Sequence, residues 1–204
     1  MTEAEINARH NEKMRRHKEA REKMMAHKTL EKGLLIVHTG AGKGKTSAAL
    51  GMVFRHIAHG MRTAVIQFTK SPDWVTGEAI LLRQFPELCT LDISGDGFTW
   101  DTQNRAQDIA TARAGWERAK ACILDPAYKL VMLDELNIVL RYDYLPVEEI
   151  VEFLRTQRPA DTHVVITGRN AKPELIELAD LVTEMVQVKH PFREGVKAQA
   201  GIEF

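Results

Sequence analysis

The sequence is poor in cysteine, and it contains no long hydrophobic run. Its 2 cysteines form no CxxC pair and no local Cys/His cluster, which argues against a disulfide framework and against a zinc site. The apolar runs are a handful of residues long, whereas a membrane-spanning helix needs roughly 20. The charged N-terminus lacks the apolar stretch of a secretory signal. We therefore expect a protein of the reducing cytoplasm, with no membrane partner.

The chain also lacks an excess of charge of either sign. It has 28 Lys and Arg residues against 28 Asp and Glu residues, so its formal net charge is zero. This balance excludes a protein that is basic throughout and coats nucleic acid by charge alone. With 204 residues, of which 44% are hydrophobic and 27% charged, the chain is typical of a soluble domain with an appendage.

Residues 1–30 differ in composition from the rest. Between Met1 and Lys28 there are eight Lys or Arg and five Asp or Glu, but no glycine, proline or aromatic residue. This composition predicts a charged arm that is helical or flexible. Two interpretations remain open: a frayed N-terminus, or an arm that becomes ordered against a ligand or a partner subunit. Because no aromatic residue is available to stack on bases, nucleic-acid binding by the arm is only weakly supported.

Residues 31–204 alternate between short apolar runs and longer amphipathic stretches. The apolar runs predict strands at Leu34–His38, Thr63–Phe68, Leu88–Ile93, Lys129–Asp134, His163–Thr167 and Leu181–Gln187. The stretches between them predict helices at Lys45–His59, Glu78–Gln84, Asp101–Ile123, Pro146–Thr156 and Pro173–Ala179. Strands that alternate with helices indicate an α/β fold of three layers, in which helices cover both faces of a mostly parallel sheet of about six strands.

A glycine-rich segment joins the first predicted strand to the first helix of this domain. Its residues are Gly40, Ala41, Gly42, Lys43, Gly44, Lys45, Thr46 and Ser47. Backbone N–H groups in such a loop form a nest for phosphate oxygens, and the helix N-terminus adds its positive dipole end. Lys45 supplies a cation for phosphate, and Thr46 supplies a hydroxyl for Mg²⁺. The usual pattern GxxxxGK[ST] has glycine at its first position, where this chain has Thr39.

Two carboxylates follow the fourth predicted strand. Asp134 and Glu135 come directly after the apolar run that ends at Leu133. Parallel sheets bind ligands at the carboxyl ends of their strands, so we expect these residues beside the phosphate loop. Their oxygen atoms suit Mg²⁺, which makes both of them candidate metal ligands together with Thr46.

Two arginines and two aromatic residues complete the candidate site. Arg55 lies on the helix after the loop and Arg169 follows the fifth strand, so each is a candidate contact for nucleotide or else a surface ion pair. Phe98 and Trp100 lie in a glycine-rich loop expected at the same sheet edge. They form either part of the core or a wall against a large flat ligand.

In combination, these segments resemble the P-loop class of ATP:corrinoid adenosyltransferases. The matching segments are Gly40–Thr46, Gly97–Trp100, Leu133–Leu136, Tyr142–Leu145, Thr167–Arg169, Val188–His190 and Gly195–Gln199. The order and spacing of these segments agree with the family's from about residue 31 to residue 204. A loop with Thr39 in place of the first glycine is similar to this family's own shortened loop. The resemblance implies a RecA-like fold.

The resemblance also implies an activity. Such an enzyme transfers the 5′-deoxyadenosyl group of ATP to the Co(I) of cobalamin or a precursor corrinoid and releases tripolyphosphate, with Mg²⁺ or Mn²⁺ as the ion. It further implies a homodimer, an electron-donating flavoprotein as partner, and a catalytic role for Lys45. Phe98 and Trp100 would displace the axial ligand of cobalt, and the N-terminal arm would cover the corrinoid.

Three other functions remain to be distinguished from this one. An ordinary P-loop ATPase or kinase would use the same loop to split a phosphoanhydride, with Glu135 orienting water. A carrier that binds ATP and corrinoid without turnover would need no chemistry, and a nucleic-acid motor is disfavoured by the charge balance. His38, His163 and His190 receive no role, because their spacing suggests no metal site.

Overall fold

The computed structural model describes residues 2–71, 75–93 and 104–204. It divides into two compact units, one ending at Glu31 and the other beginning at Lys32. Among the described residues, no helix combines the length and the hydropathy that a membrane span requires.

The first unit contains one long helix, α1 (Glu3–Met25). A reciprocal capping box starts it: the backbone N–H of Glu5 donates to Thr2 Oγ1 at 3.3 Å, and the backbone N–H of Thr2 donates to Glu5 Oε2 at 2.8 Å. No residue of α1 is buried within the described structure. The arm is thus helical, which is one of the two forms that its composition allowed.

The second unit is built on a six-stranded sheet in which every pair of neighbouring strands is parallel. Its strands are β1 (Leu35–Thr39), β2 (Arg62–Gln67), β3 (Cys89–Ile93), β4 (Tyr128–Asp134), β5 (His163–Thr167) and β6 (Leu181–Glu184). Their order across the sheet is β3-β2-β4-β5-β1-β6. Valine, isoleucine and leucine fill the central strands because both faces of a parallel sheet are buried.

Helices cover both faces of the sheet. They are α2 (Lys45–Ala58), α3 (Gly77–Leu82), α4 (Arg105–Leu124), α5 (Leu136–Arg141), α6 (Val147–Thr156) and α7 (Pro173–Leu178). Apolar residues of α2 and α3 form one buried cluster with the sheet, and those of α4 to α7 form a second cluster with its other face. The predicted three-layer α/β fold is thereby confirmed.

Most element bounds lie within two residues of the predicted ones, but one helix was not predicted and one strand ends earlier. Helix α5 follows β4 after one residue, where no separate helix was predicted. The predicted sixth strand ends at Glu184 rather than Gln187, because from Met185 onward the backbone packs on the glycine-rich loop. Helix α4 spans Arg105–Leu124, and its predicted start at Asp101 lies outside the described residues.

Candidate active site

The glycine-rich loop curls tightly between β1 and α2. Gly40 and Gly44 have φ angles of 97° and 102°, a region that favours glycine. A Cβ atom at Gly40 would lie 2.5 Å from the carbonyl oxygen of Met185, and one at Gly42 would lie 2.7 Å from it. The backbone N–H of Gly42 donates to the same oxygen at 2.6 Å. The glycines are therefore required both by the turn and by the chain segment that follows β6.

Lys45 points back into this loop. Its side chain is buried, and its Nζ donates to the carbonyl oxygens of Gly40 at 3.0 Å and Gly42 at 2.5 Å. Burial lowers the pKa of Lys45, the positive charges of Arg169 and Lys43 lower it further, and Glu135 opposes the shift. The ammonium group is thus held where the loop would cradle an anion.

Asp134 organises the edge of the sheet next to the loop. This fully buried carboxylate accepts hydrogen bonds from Thr46 Oγ1 at 2.9 Å, Thr167 Oγ1 at 2.8 Å and Gln67 Nε2 at 3.3 Å. The Nζ of Lys70 lies 3.6 Å from it. Strands β2, β4 and β5 and helix α2 therefore converge on one carboxylate.

Glu135 occupies a different environment although it is the next residue. Its φ angle is 61°, which places it in the left-handed region. Burial and the neighbouring charge of Asp134 raise the pKa of Glu135 to about 7, against the influence of Lys45, Lys70 and Arg169. This carboxyl group would bind a proton near neutral pH unless a cation came close to it.

Arg169 lies at the same edge, as the sequence predicted. It is exposed, and its charge acts on both Lys45 and Glu135. Gly168 before it has a φ angle of 124°, and a Cβ there would lie 2.8 Å from the Cβ of Asn137. The close approach of Gly168 to helix α5 thus fixes the backbone from which the Arg169 side chain extends.

The structure does not bring Arg55 to the loop. This exposed residue lies in the last turn of α2, ten positions or about 15 Å of helix from Lys45. A nucleotide contact by Arg55 therefore stays a prediction. Phe98 and Trp100 lie outside the described residues.

Two polar residues near Asp134 were not predicted from the sequence. Lys70 is largely buried and pairs with Glu78 of α3, and Gln67 is the last residue of β2. Both follow the rule that identified Asp134 and Arg169, because they stand at the carboxyl end of a parallel strand. Applying that rule to β2 would have found them.

The three unassigned histidines have separate surroundings. His163 Nδ1 accepts a hydrogen bond from the backbone N–H of Leu34 at 3.0 Å, and His190 Nδ1 accepts one from Phe192 at 3.1 Å. His38 is buried, and neither of its ring nitrogens has a hydrogen-bond partner among the described residues. Burial lowers its pKa, which favours a neutral ring.

The oxygen atoms at this edge fit a magnesium ion. No group of three His, Cys, Asp or Glu side chains suited to a metal occurs in the described ranges. However, Mg²⁺ is usually held by only one or two carboxylates together with substrate phosphates and water. The Thr46 hydroxyl and the Asp134 carboxylate are such ligands, and the buried Gln67 Oε1 close by lacks a described partner.

Comparison with known proteins gives a consistent result. Residues 31–204 match the family described as ATP:corrinoid adenosyltransferase BtuR/CobO/CobP. A corrinoid adenosyltransferase of Sinorhizobium sp. is 58% identical over 97% of this chain and 92% of its own. Corrinoid adenosyltransferases of Pseudomonas aeruginosa and Escherichia coli K12 are 48% and 44% identical, each over at least 96% of this chain and 98% of their own.

Proposed function

Because the chain belongs to the ATP:corrinoid adenosyltransferase family, it is a transferase, and we propose how its site performs the reaction. The loop binds ATP, and the 5′-deoxyadenosyl group passes to the Co(I) of cobalamin or a precursor corrinoid with release of tripolyphosphate. One observation supports this most strongly: Thr46, Asp134 and the buried Lys45 meet around one glycine-rich loop. The reaction belongs to the biosynthesis or salvage of adenosylcobalamin.

The chemistry needs little from side chains beyond binding. Co(I) is already a strong nucleophile, so no general base is required. The protein aligns cobalt with the 5′ carbon and holds both substrates in place, which is catalysis by orientation. Negative charge collects on the departing triphosphate, where the loop N–H groups and Lys45 stabilise it. Arg169 adds positive charge from the neighbouring strand.

We propose that Mg²⁺, or Mn²⁺ in its place, is held by Thr46 and Asp134, with Glu135 beside it. A bound cation supplies positive charge that neutralises the triphosphate. Glu135 is matched to this position, because a nearby cation would keep ionised a carboxyl group whose pKa is otherwise about 7.

Phe98 and Trp100 are proposed to act on the cobalt side. Apolar rings there would displace the axial ligand of Co(II) and ease its reduction by a reduced flavoprotein. Phe98→Ala and Trp100→Ala should then slow the reaction from Co(II) more than the reaction from prereduced Co(I). Equal losses in the two assays would contradict this role.

The assembly and setting of the enzyme are proposals of the same kind. We propose a cytoplasmic homodimer in which the N-terminal arm covers the corrinoid. Every residue of α1 is exposed, including the apolar Ile6, Met14, Met24 and Met25, so apolar surface is available for a flat ligand.

The decisive experiment is anaerobic. Protein, ATP, Mg²⁺ and chemically reduced cob(I)alamin are mixed, absorbance is followed, and the phosphate products are then separated. We expect a light-sensitive alkylcobalamin spectrum together with tripolyphosphate. Lys45→Ala should lower the rate at least 100-fold, the order of effect seen when a transition-state donor is removed.

Lys129→Ala is the matched control, because Lys129 lies at the opposite end of β4 and pairs with Asp161 at 2.7 Å. Its rate should stay within about twofold of the unaltered protein, as expected for an exposed ion pair. Formation of ADP without a spectral change would identify a phosphoanhydride-cleaving enzyme. Binding of both substrates without products would identify a carrier.

A further inference from the structure

Lys43, which lies in the glycine-rich loop two positions before Lys45, is bound by a carboxylate from far along the chain. Lys43 Nζ donates to Glu203 Oε2, across 160 positions of sequence. The Lys43 side chain is half exposed, whereas that of Glu203 is 21% exposed. Glu203 therefore lies against the loop, with its charge next to Lys43.

A short turn fixes Glu203 in this place. The backbone N–H groups of Ile202 and Glu203 donate to the carbonyl oxygen of Gln199, at 3.1 and 2.9 Å, and that of Gly201 donates to Phe204 at 2.7 Å. We call residues 199–204 the closing turn.

The closing turn also reaches helix α3. A Cβ at Gly77, the first residue of α3, would lie 3.8 Å from the carbonyl carbon of Phe204. The next residue, Glu78, pairs with Lys70, whose Nζ lies 3.6 Å from Asp134. The closing turn thus contacts both the glycine-rich loop and helix α3, whose Glu78 holds Lys70 next to Asp134.

We propose that Glu203 competes with the triphosphate for Lys43. A carboxylate and a phosphate oxygen are both anionic acceptors for the same ammonium group. Each ATP that enters must displace Glu203 from Lys43, and each tripolyphosphate that leaves is replaced there by Glu203. The carboxylate weakens binding of both anions and hastens release of the more highly charged product.

The consequence for turnover rests on the proposed function, whereas the competition itself needs only the ion pair and phosphate binding by the loop. An enzyme that splits no phosphoanhydride must release all three phosphates as one anion. Tight binding of that anion would limit turnover, because product release often sets the rate of an enzyme.

The test is a double-mutant cycle read by binding. Calorimetry measures the Kd of inorganic tripolyphosphate, with Mg²⁺, for the unaltered protein, Glu203→Gln, Lys43→Gln and the double variant. Glu203→Gln should lower Kd by about fivefold, the upper range for an exposed ion pair. In the Lys43→Gln background the same change should lower Kd by less than about twofold, because the shared partner is gone.

Two controls accompany the cycle. Glu194→Gln removes a comparable carboxylate, which pairs with Lys189 at 3.0 Å, and it should leave Kd unchanged. Adenosine, which carries no phosphate, should bind Glu203→Gln and the unaltered protein equally, which shows that the gain in affinity is specific to phosphate.

The outcomes separate this inference from the proposed function. An unchanged Kd for Glu203→Gln would overturn the competition. An equal gain with and without Lys43 would also overturn it, because it would show long-range repulsion instead. In the adenosyl-transfer assay, Glu203→Gln should be inhibited by tripolyphosphate at about fivefold lower concentration. If no adenosyl transfer occurs at all, the proposed function fails while the binding cycle still reports on Lys43.

Discussion

Asp134 and Glu135 are neighbours in the chain, but their carboxyl groups have opposite surroundings. Asp134 is fully buried and accepts hydrogen bonds from three side chains, so its charge is compensated. Glu135 is turned by a left-handed backbone, and its pKa of about 7 reflects burial that is incompletely compensated. At the scale of single residues, Asp134 is held in place by its hydrogen bonds, whereas the protonation of Glu135 should change when a cation binds nearby.

His163 gives a prediction at the same scale. Burial chiefly, and then the charges of His56 and Arg158, lower its pKa below the usual value near 6.5, against the influence of Asp161. As pH falls through about 6.5, the unfolded chain takes up the proton before the folded one, so stability is lost toward acid pH. One proton is involved, which limits the slope to about 1.4 kcal/mol per pH unit.

The measurement is urea unfolding of the unaltered protein and His163→Asn between pH 5 and 8. Asparagine keeps an acceptor in place of Nδ1, which binds the N–H of Leu34, but it does not titrate. The stability difference between the two proteins should shift in favour of the variant as pH falls. A difference that is independent of pH would contradict the prediction.

At the scale of elements, the phosphate loop shows what a sequence pattern can predict. Its position after a strand and before a helix, its glycines and its lysine were all found from the chain, as were the six strands. The pattern did not reveal that Gly40 and Gly42 pack against Met185, or that Glu203 binds Lys43. Such contacts depend on how the chain returns to the loop, which no local spacing encodes.

Two glycine substitutions test this packing. Gly40→Ala should lower the free energy of unfolding by about 2–4 kcal/mol, because its φ is positive and the new Cβ meets the backbone of Met185. Gly51→Ala lies within α2 in open space, and it should raise stability by about 0.5–1 kcal/mol. Thermal and urea unfolding check both. If both substitutions changed the free energy of unfolding equally, the contact of Gly40 with Met185 would not determine stability.

Short elements marked the limit of prediction. Helix α5 has six residues and begins one residue after β4, so it is too short for its apolar residues to show a helical period. The end of β6 was overestimated because Val186 continues the apolar pattern although it is exposed. In both places the tertiary path of the backbone decides the structure, and propensity does not.

At the scale of the whole molecule, the chain consists of an exposed helix and an α/β domain that contains the entire described site. The domain holds the loop, both carboxylates and Arg169 between positions 40 and 169. Nucleotide binding should therefore be a property of the domain, and corrinoid binding should depend on both units.

Deletion of residues 2–28 tests this division. We expect the KM for corrinoid to rise about tenfold, or more, because apolar surface would be lost from the proposed cover. The Kd of ATP should change less than about twofold, because no residue of the phosphate loop is removed. Steady-state kinetics with cob(I)alamin and calorimetry with ATP give the two values. An unchanged KM would show that the arm does not cover the corrinoid.

The order of strands has a consequence for synthesis on the ribosome. Strand β1 lies between β5 and β6, and the backbone N–H of Leu34 binds His163, 129 positions later. The phosphate loop is thus translated early, but the backbone against which Gly40 and Gly42 pack is translated only with Met185. A nascent chain that ends before this point carries an unsupported loop. Cellular ATP should therefore not assist folding until the sixth strand and Met185 have emerged from the ribosome.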